Sequence, residues 1–246
     1  MLKFAISRII AAIPTLFIVS VSVFFLIRLI PGDPASLMLG DLADAASLAD
    51  LRARLGLDQS IPVQFTIWLG NIMSGDFGRS ITSQQDVLPL ILGRLRVSAE
   101  IVLIAVFLAS VIAVPAGMIA AWRQHSLTDV ALVSIATLVL SIPAFWMGLL
   151  LLLLFVLKLG WLPLVGYVSI SQDFSQGFFY IILPVATLLL HEIGVILRMA
   201  RASTLEVMQL DYIVHARAKG LSESAVMWRH AFKNAFGPTW TLIGIV

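Results

Sequence analysis

The sequence predicts an all-α, polytopic transmembrane helical bundle with a small helical extracytoplasmic subdomain between its first two spans. Three observations predict it. Hydrophobic residues make up 60% of the chain and charged residues 12%, about half the charged share of a soluble domain, and the mean hydropathy is +1.01. Apolar stretches long enough to cross ~30 Å of hydrocarbon as helix recur along the chain. The charges collect in the connections between those stretches. A chain this poor in polar residues cannot cover itself with a water-facing surface. The lipid bilayer is its expected surrounding, and no nucleic-acid partner is expected.

The first span falls within residues 1–30. Lys3 and Arg8 precede an apolar run from Ile9 to Ile27. That run is too long for the apolar core of a cleavable leader, and Pro31-Gly32-Asp33-Pro34 follows it instead of a small-residue cleavage site. Residues 31–95 form the polar subdomain. Ser47 before Leu48–Leu55, with Gly56 after, reads as a capped short helix. Pro62 to Met73, followed by Gly75, reads as another. Its apolar face is Phe65, Trp68, Leu69 and Ile72, which would rest on the membrane surface.

Residues 96–246 hold the remaining spans, at about 98–121, 130–157 and 178–198, with a cytoplasmic loop over 199–234 and the start of a fifth span from about 235. The chain stops inside that last apolar segment. A terminal carboxylate in hydrocarbon is costly, so the chain is expected to be part of a longer one. Pro115 and Pro143 interrupt the second and third spans, where proline frees backbone carbonyls and can kink a helix. Glu100 reads as a first-turn acid favoured by the helix dipole. Trp122 and Trp161 sit at span ends, as interfacial anchors do.

Charge sets the expected orientation. Residues 31–95 carry Asp33, Asp41, Asp44, Asp50, Asp58, Asp76 and Asp86. Residues 198–233 carry Arg198, Arg201, Arg217, Lys219, Arg229 and Lys233 against Glu206, Asp211 and Glu223. The excess of Lys and Arg marks the second segment as cytoplasmic, together with the N-terminus. The number of spans between them agrees.

The loop 199–234 is the stretch richest in candidate function. Small residues at Ala216 and Ala218 precede Gly220, and Ser222 can cap a helix that starts at Glu223. Two short helices meeting at a glycine would make a knuckle able to enter a partner's groove. The same residues also fit a basic helix lying on anionic lipid.

Particular motifs carry a resemblance. Ala216-Arg217-Ala218-Lys219-Gly220-Leu221-Ser222 and Arg229-His230-Ala231-Phe232-Lys233-Asn234-Ala235 are similar to the coupling loop of binding-protein-dependent ABC importer permeases, in the dipeptide and oligopeptide variant. The family's general signature, E-A-A-x-x-x-G followed by I-x-L-P, matches at Ala216 and Gly220. Val214 and His215 replace its Glu and first Ala, and His230, Phe232 and Lys233 stand where I-x-L-P would be. Arg28-Leu29-Ile30-Pro31-Gly32-Asp33-Pro34, Arg54-Leu55-Gly56-Leu57-Asp58, Gly75-Asp76-Phe77-Gly78-Arg79-Ser80, Ser141-Ile142-Pro143-Ala144-Phe145-Trp146 and Leu159-Gly160-Trp161-Leu162-Pro163 resemble the same family.

The resemblance implies an ABC importer permease fold and a place in the cytoplasmic membrane of a bacterium or archaeon. It implies a second permease subunit, two ATPase subunits and an extracytoplasmic solute-binding protein as partners. Asp211, Tyr212, Ala216, Arg217, Ala218, Lys219, Gly220, Leu221 and Ser222 would form the ATPase-coupling loop. The cargo implied is a di- or oligopeptide, with nickel complexes or glutathione as alternatives. No cofactor is expected on this chain; ATP and Mg would be held by the ATPases. The chain carries no Walker-type G-x-x-x-x-G-K-[ST] loop of its own and is not expected to be an enzyme.

His191 and Glu192 fall inside the fourth span. An intramembrane carboxylate marks a candidate functional site: a proton relay, a contact for a cargo amine, or a structural Glu paired with Arg198 or Arg201. Ser141 and Pro143 are further candidates for the translocation pathway. A proton-coupled secondary transporter using His191 and Glu192 is the competing class. A zinc protease is excluded, because H-E-x-x-H needs His where Val195 stands. No metal site is expected: there is no Cys and there are only 4 His.

Overall fold

Apolar length decides which helices can cross a bilayer, and among the described residues three helices meet that length unbroken. The computed structural model describes residues 2–29, 32–39, 44–80 and 82–245. Among them the only β pairing is an isolated bridge between Arg79 and Asp86. The chain forms two compact units, residues 1–94 and 95–246.

In the first unit, α1 (Leu2–Leu29) is followed by α2 (Pro34–Leu39), α3 (Ala45–Arg54) and α4 (Ile61–Met73). The apolar face of α4 packs on α1. Phe24 of α1 is 2% exposed, with ring centroids 5.1 Å from Phe65 and 5.6 Å from Trp68. Arg28 stacks over Phe24 at 3.4 Å and donates to Gln64 Oε1 at 3.1 and 2.8 Å. So Phe65 and Trp68 pack, half-buried, against α1. The cap of α3 also differs from the sequence reading. Asp44 is the cap and accepts from the Ser47 amide at 3.0 Å, which places Ser47 in the first turn.

The second unit is organised around α8 (Phe174–Met208). Helix α5 (Val87–Trp122) starts in the first unit and supplies one wall of the second. Ala105, Ala109, Ala113, Gly117 and Ala121 recur at every fourth position and are all buried. Residues four apart share a helix face, so α5 offers a strip with almost no side chain. Ala105 clusters with Ile181 and Val185, while Gly117 lies against Leu197 and Ala200. Residue numbers rise together along both helices, so α5 and α8 run parallel. Close helix approach through small residues is the usual device for packing inside a bilayer, where water gives no apolar drive.

The approach at Gly117 is at its limit. A Cβ there would lie 2.5 Å from the Leu197 carbonyl oxygen and 2.8 Å from Ala200 Cβ. Gly117→Ala is expected to destabilise the bundle by about 1–3 kcal/mol through overpacking. A lowered midpoint of thermal unfolding in detergent would show it, with Gly93→Ala as the control, since a Cβ at Gly93 meets nothing within 4 Å.

Between these parallel helices the chain returns through α6 (Leu127–Leu140) and α7 (Ala144–Leu152), the latter running on as a π-helical turn over Leu153–Lys158. Gly194 of α8 sits against Ala136 and Leu140, and Gly148 faces Thr187, so the returning segment is antiparallel to α8. It is not one continuous helix. The two halves meet at 89°, because Pro143 supplies no amide hydrogen and excludes its predecessor from helical geometry. Ser141 ends α6 and Pro143 caps α7. Helix α5, by contrast, continues through Pro115 without a break.

After α8 come α9 (Asp211–Ala218), the single turn α10 (Glu223–Ala225), a π-helical run Val226–Ala231, and α11 (Phe232–Ile243). Helix α11 packs along α8. Its Phe232, Phe236 and Ile243 lie against a core of Ala109, Ala113, Met118, Ile196 and Leu197.

Candidate functional site

Helix α9 ends in a structure that its sequence dictates. Lys219 closes the helix and Gly220 follows at φ +80°, a region where only glycine sits without steric cost. The Gly220 amide donates to Arg217 O at 2.9 Å, and the Leu221 amide donates to Ala216 O at 3.4 Å. That pair of bonds is a Schellman motif, which satisfies the helix's last carbonyls and turns the chain back. Ser222 then caps the next turn, accepting from the Ala225 amide at 3.3 Å.

The reversal is held from inside. Val207, Ile213, Ala216, Val226, Ala231 and Ala235 form one buried cluster, joining the end of α8 to α9, the π run and α11. Arg217 donates to both Glu223 carboxylate oxygens at 2.9 and 3.1 Å, and Asn234 donates to the Tyr212 hydroxyl at 2.6 Å. The Arg217 guanidinium holds the Glu223 carboxyl below the usual carboxylate range, with a smaller contribution from Trp122. A lowered carboxyl value adds stability above the unfolded-state value and loses it as pH falls through the folded one. This clasp therefore stays closed at neutral pH and opens only in acid.

Facing outward from this base are Asp211, Tyr212, Ala218, Lys219, Gly220, Leu221 and Ser222. A Cβ built on Gly220 would meet no atom within 4 Å. The sequence-nominated residues thus divide. Ala216 is buried in the base, Arg217 is a clasp, and the others form an exposed tip of mixed polar and apolar character.

A second feature sits above the knuckle on α8. Arg201 donates to Asp129 Oδ1 at 2.7 Å and Oδ2 at 2.8 Å. Asp129 is 4% exposed and also accepts from the His125 amide at 3.0 Å. His125 takes φ +63° to present that amide, and Ser126 caps α6. The α5–α6 turn is thereby tied to α8 two turns before Met208. Sequence reasoning missed Asp129 and offered Arg201, alongside Arg198, as a partner for Glu192.

Glu192 itself is 8% exposed, and its Oε2 is buried without a hydrogen-bond partner among the described residues, as is His191 Nδ1. Neither Arg198 nor Arg201 pairs with it. Ser141 and Pro143 are exposed at the bend, where the Ser141 hydroxyl donates to Thr137 O at 2.8 Å. No group of three or more His, Cys, Asp or Glu able to hold a metal ion occurs among the described residues.

At the other end of α5, Glu100 is well inside the helix rather than in its first turn, because α5 begins at Val87. Its carboxylate accepts from Tyr167 Oη at 2.5 Å, Ser169 Oγ at 2.8 Å and the Ile170 amide at 2.8 Å. Arg96 adds a bond to Ser171 at 2.9 Å. These contacts fasten the loop before α8 to α5. The bond to Glu100 pushes the Tyr167 phenol above its ordinary value, so the phenol's share of the tie is present below the ordinary tyrosine range and is lost as pH rises through the raised value.

Comparison with known families agrees with this architecture. Residues 113–246 match the model for binding-protein-dependent transport system inner membrane components. Residues 1–106 match the N-terminal model for membrane components of the same systems. A probable peptide ABC transporter permease protein of Sinorhizobium fredii is 37% identical, over 97% of this chain and 76% of its own length. A putative peptide transport system permease protein of Brucella suis is 39% identical over the same shares. A glutathione transport system permease protein of Escherichia coli K12 is 38% identical over 100% of this chain and 78% of its own. With several apolar helices of spanning length, the chain is a multi-pass membrane protein. It belongs to the family of inner membrane components of binding-protein-dependent ABC transport systems.

Proposed function

We propose that this permease carries di- or oligopeptides, and that the α9–α10 knuckle is where a separate ATPase subunit docks. The observation that carries the docking is the knuckle's construction. A short helix ends in an exposed left-handed glycine on a base cross-braced by a buried cluster and the Arg217–Glu223 clasp. A free loop would yield under load. This braced tip instead passes a push on Lys219–Ser222 to α8 through Val207 and to α11 through Ala235.

In this reading the N-terminus and the knuckle face the cytoplasm, as their Lys and Arg favour. Segment 31–95 faces outward, toward an extracytoplasmic solute-binding protein. A second permease subunit completes the pathway, and two ATPases close on ATP and Mg to rock the spans. His191, Glu192, Ser141 and Pro143 belong to the pathway or its walls. Peptide cargo is favoured by the peptide permeases among the relatives. Glutathione is the second reading, favoured by the Escherichia coli relative.

Proteoliposomes holding the complete permease pair, its ATPases and the loaded binding protein test the proposal. Uptake of labelled dipeptide and tripeptide is expected with ATP and not with a proton gradient alone. Uptake of glutathione without peptide would shift the cargo to the second reading. Uptake driven by the proton gradient without ATP would overturn the coupling to an ATPase.

A further inference from the structure

We propose that Arg198 is a cargo-contacting cation that receives a substrate carboxylate in the groove beside α8; this rests on the peptide reading above. The groove is open to one side, offers about 660 Å³, and is lined by Leu140, Val195, Arg198, Met199, Ala202 and Leu242. That size lies inside the ~300–1,000 Å³ typical of small-molecule sites. Its walls come from α6, α8 and α11 and are apolar apart from the one guanidinium. Arg198 is exposed, and no acceptor or carboxylate pairs with it among the described residues. The neighbouring Arg201 has its carboxylate in Asp129, and Glu192, buried on the same helix, makes no ion pair with Arg198 among the described residues.

The face of α8 that carries Arg198 is not built to meet lipid. Tyr180, Thr187, His191, Val195, Arg198 and Ala202 fall at helical spacing on one stripe. A second cavity, of about 250 Å³, opens on the same stripe between Gly148 and Tyr180, Pro184 and Thr187. The stripe presents a phenol, a hydroxyl, an imidazole and a guanidinium in succession. The exposed face of α5 presents Leu103, Phe107 and Val111. Ionisable groups within spans face the bundle interior or a watery cavity.

The bend at Ser141–Pro143 lies beside Leu140 in the groove wall. Irregular backbone at membrane depth is tolerated where it lines such a cavity, and broken helices mark substrate sites in other transporters. His191 Nδ1, buried and without a hydrogen-bond partner among the described residues, sits about two turns along the same stripe. A guanidinium meets a carboxylate with two parallel hydrogen bonds. An apolar groove around it accommodates the side chains of a peptide without selecting among them.

The test compares wild type, Arg198→Gln and Arg198→Lys in the complete reconstituted transporter. Each carries one peptide with a free C-terminus and its C-terminally amidated twin, both loaded on a binding protein whose affinity for each has been measured. Arg198→Gln is expected to slow the free peptide about tenfold or more, as loss of a charge-assisted hydrogen bond should, and to leave the amidated peptide near wild type. Arg198→Lys is expected to recover part of the loss. Equal slowing of both peptides, or of neither, would overturn the assignment. So would a defect that tracks the anionic lipid content of the vesicles and not the cargo terminus, since Arg198 would then be serving a lipid headgroup. If the wild-type transporter moves neither peptide under ATP, it is the peptide reading that fails, and the carboxylate assignment falls with it.

Discussion

Gly220→Trp is expected to leave the helical bundle folded and to abolish ATP-driven uptake. Two costs must be separated. At φ +80° any side chain strains the backbone, by about 1–2 kcal/mol. Gly220→Ala carries that cost as well. Within this chain a Cβ at Gly220 meets nothing, so the indole adds no internal clash. Whatever separates tryptophan from alanine is therefore read by the partner. Alanine should keep the ATPase subunits in co-purification and retain most of the uptake. Tryptophan should lose both by tenfold or more. If the two variants behave alike, the knuckle tip does not enter a groove.

The second large effect is expected at the α5–α6 turn. Asp129→Ala leaves Arg201 partly buried without its carboxylate, and stranding one member of such a pair costs on the order of 3 kcal/mol. It also releases the His125 amide. Asp129→Asn keeps an acceptor for that amide and is expected to cost less than Ala. Removing both partners together, in Asp129→Ala/Arg201→Ala, is expected to recover part of the loss, because no charge is left unpaired. Thermal unfolding of the purified permease in detergent would rank the variants. A double variant as damaged as the sum of the two singles would mean that the pair is not coupled.

The helical, membrane-spanning class could be read from sequence because it depends on sums: apolar runs of sufficient length and a shortage of charge. Local chemistry was readable where it involved neighbours, as at Gly220 and Ser222, whose roles at the end of one helix and the start of the next need only adjacent residues. Long-range pairing left no such mark. Asp129 follows Ser126 as an ordinary first-turn acid, and its partner Arg201 lies 72 residues away. Glu100 reads as a first-turn acid because the apolar stretch starts near residue 98. A helix, however, can extend beyond its apolar core, and α5 starts at Val87. Pro143 marks the place of the bend in the sequence, but not its 89° size, because Leu138–Leu140 and Leu149–Leu154 are equally apolar on both sides. Asp44 outcompeted Ser47 as a cap through a side-chain bond whose register only the folded loop settles.

The π-helical run Val226–Ala231 has an angular consequence. A π turn bonds one residue further along than an α turn, and one residue corresponds to ~100° about the axis. The run thus acts as a phase shifter between the clasp and the aromatic ladder Phe232, Phe236 and Trp240. It lets Met227 join the bundle core while Val226 and Ala231 seal the base of the knuckle. Were the segment to relax to ordinary α-helix, every side chain beyond it would swing by about a quarter of a circle and the ladder would lose its seat. The orientation of α11 and the seating of the knuckle are in this sense set together.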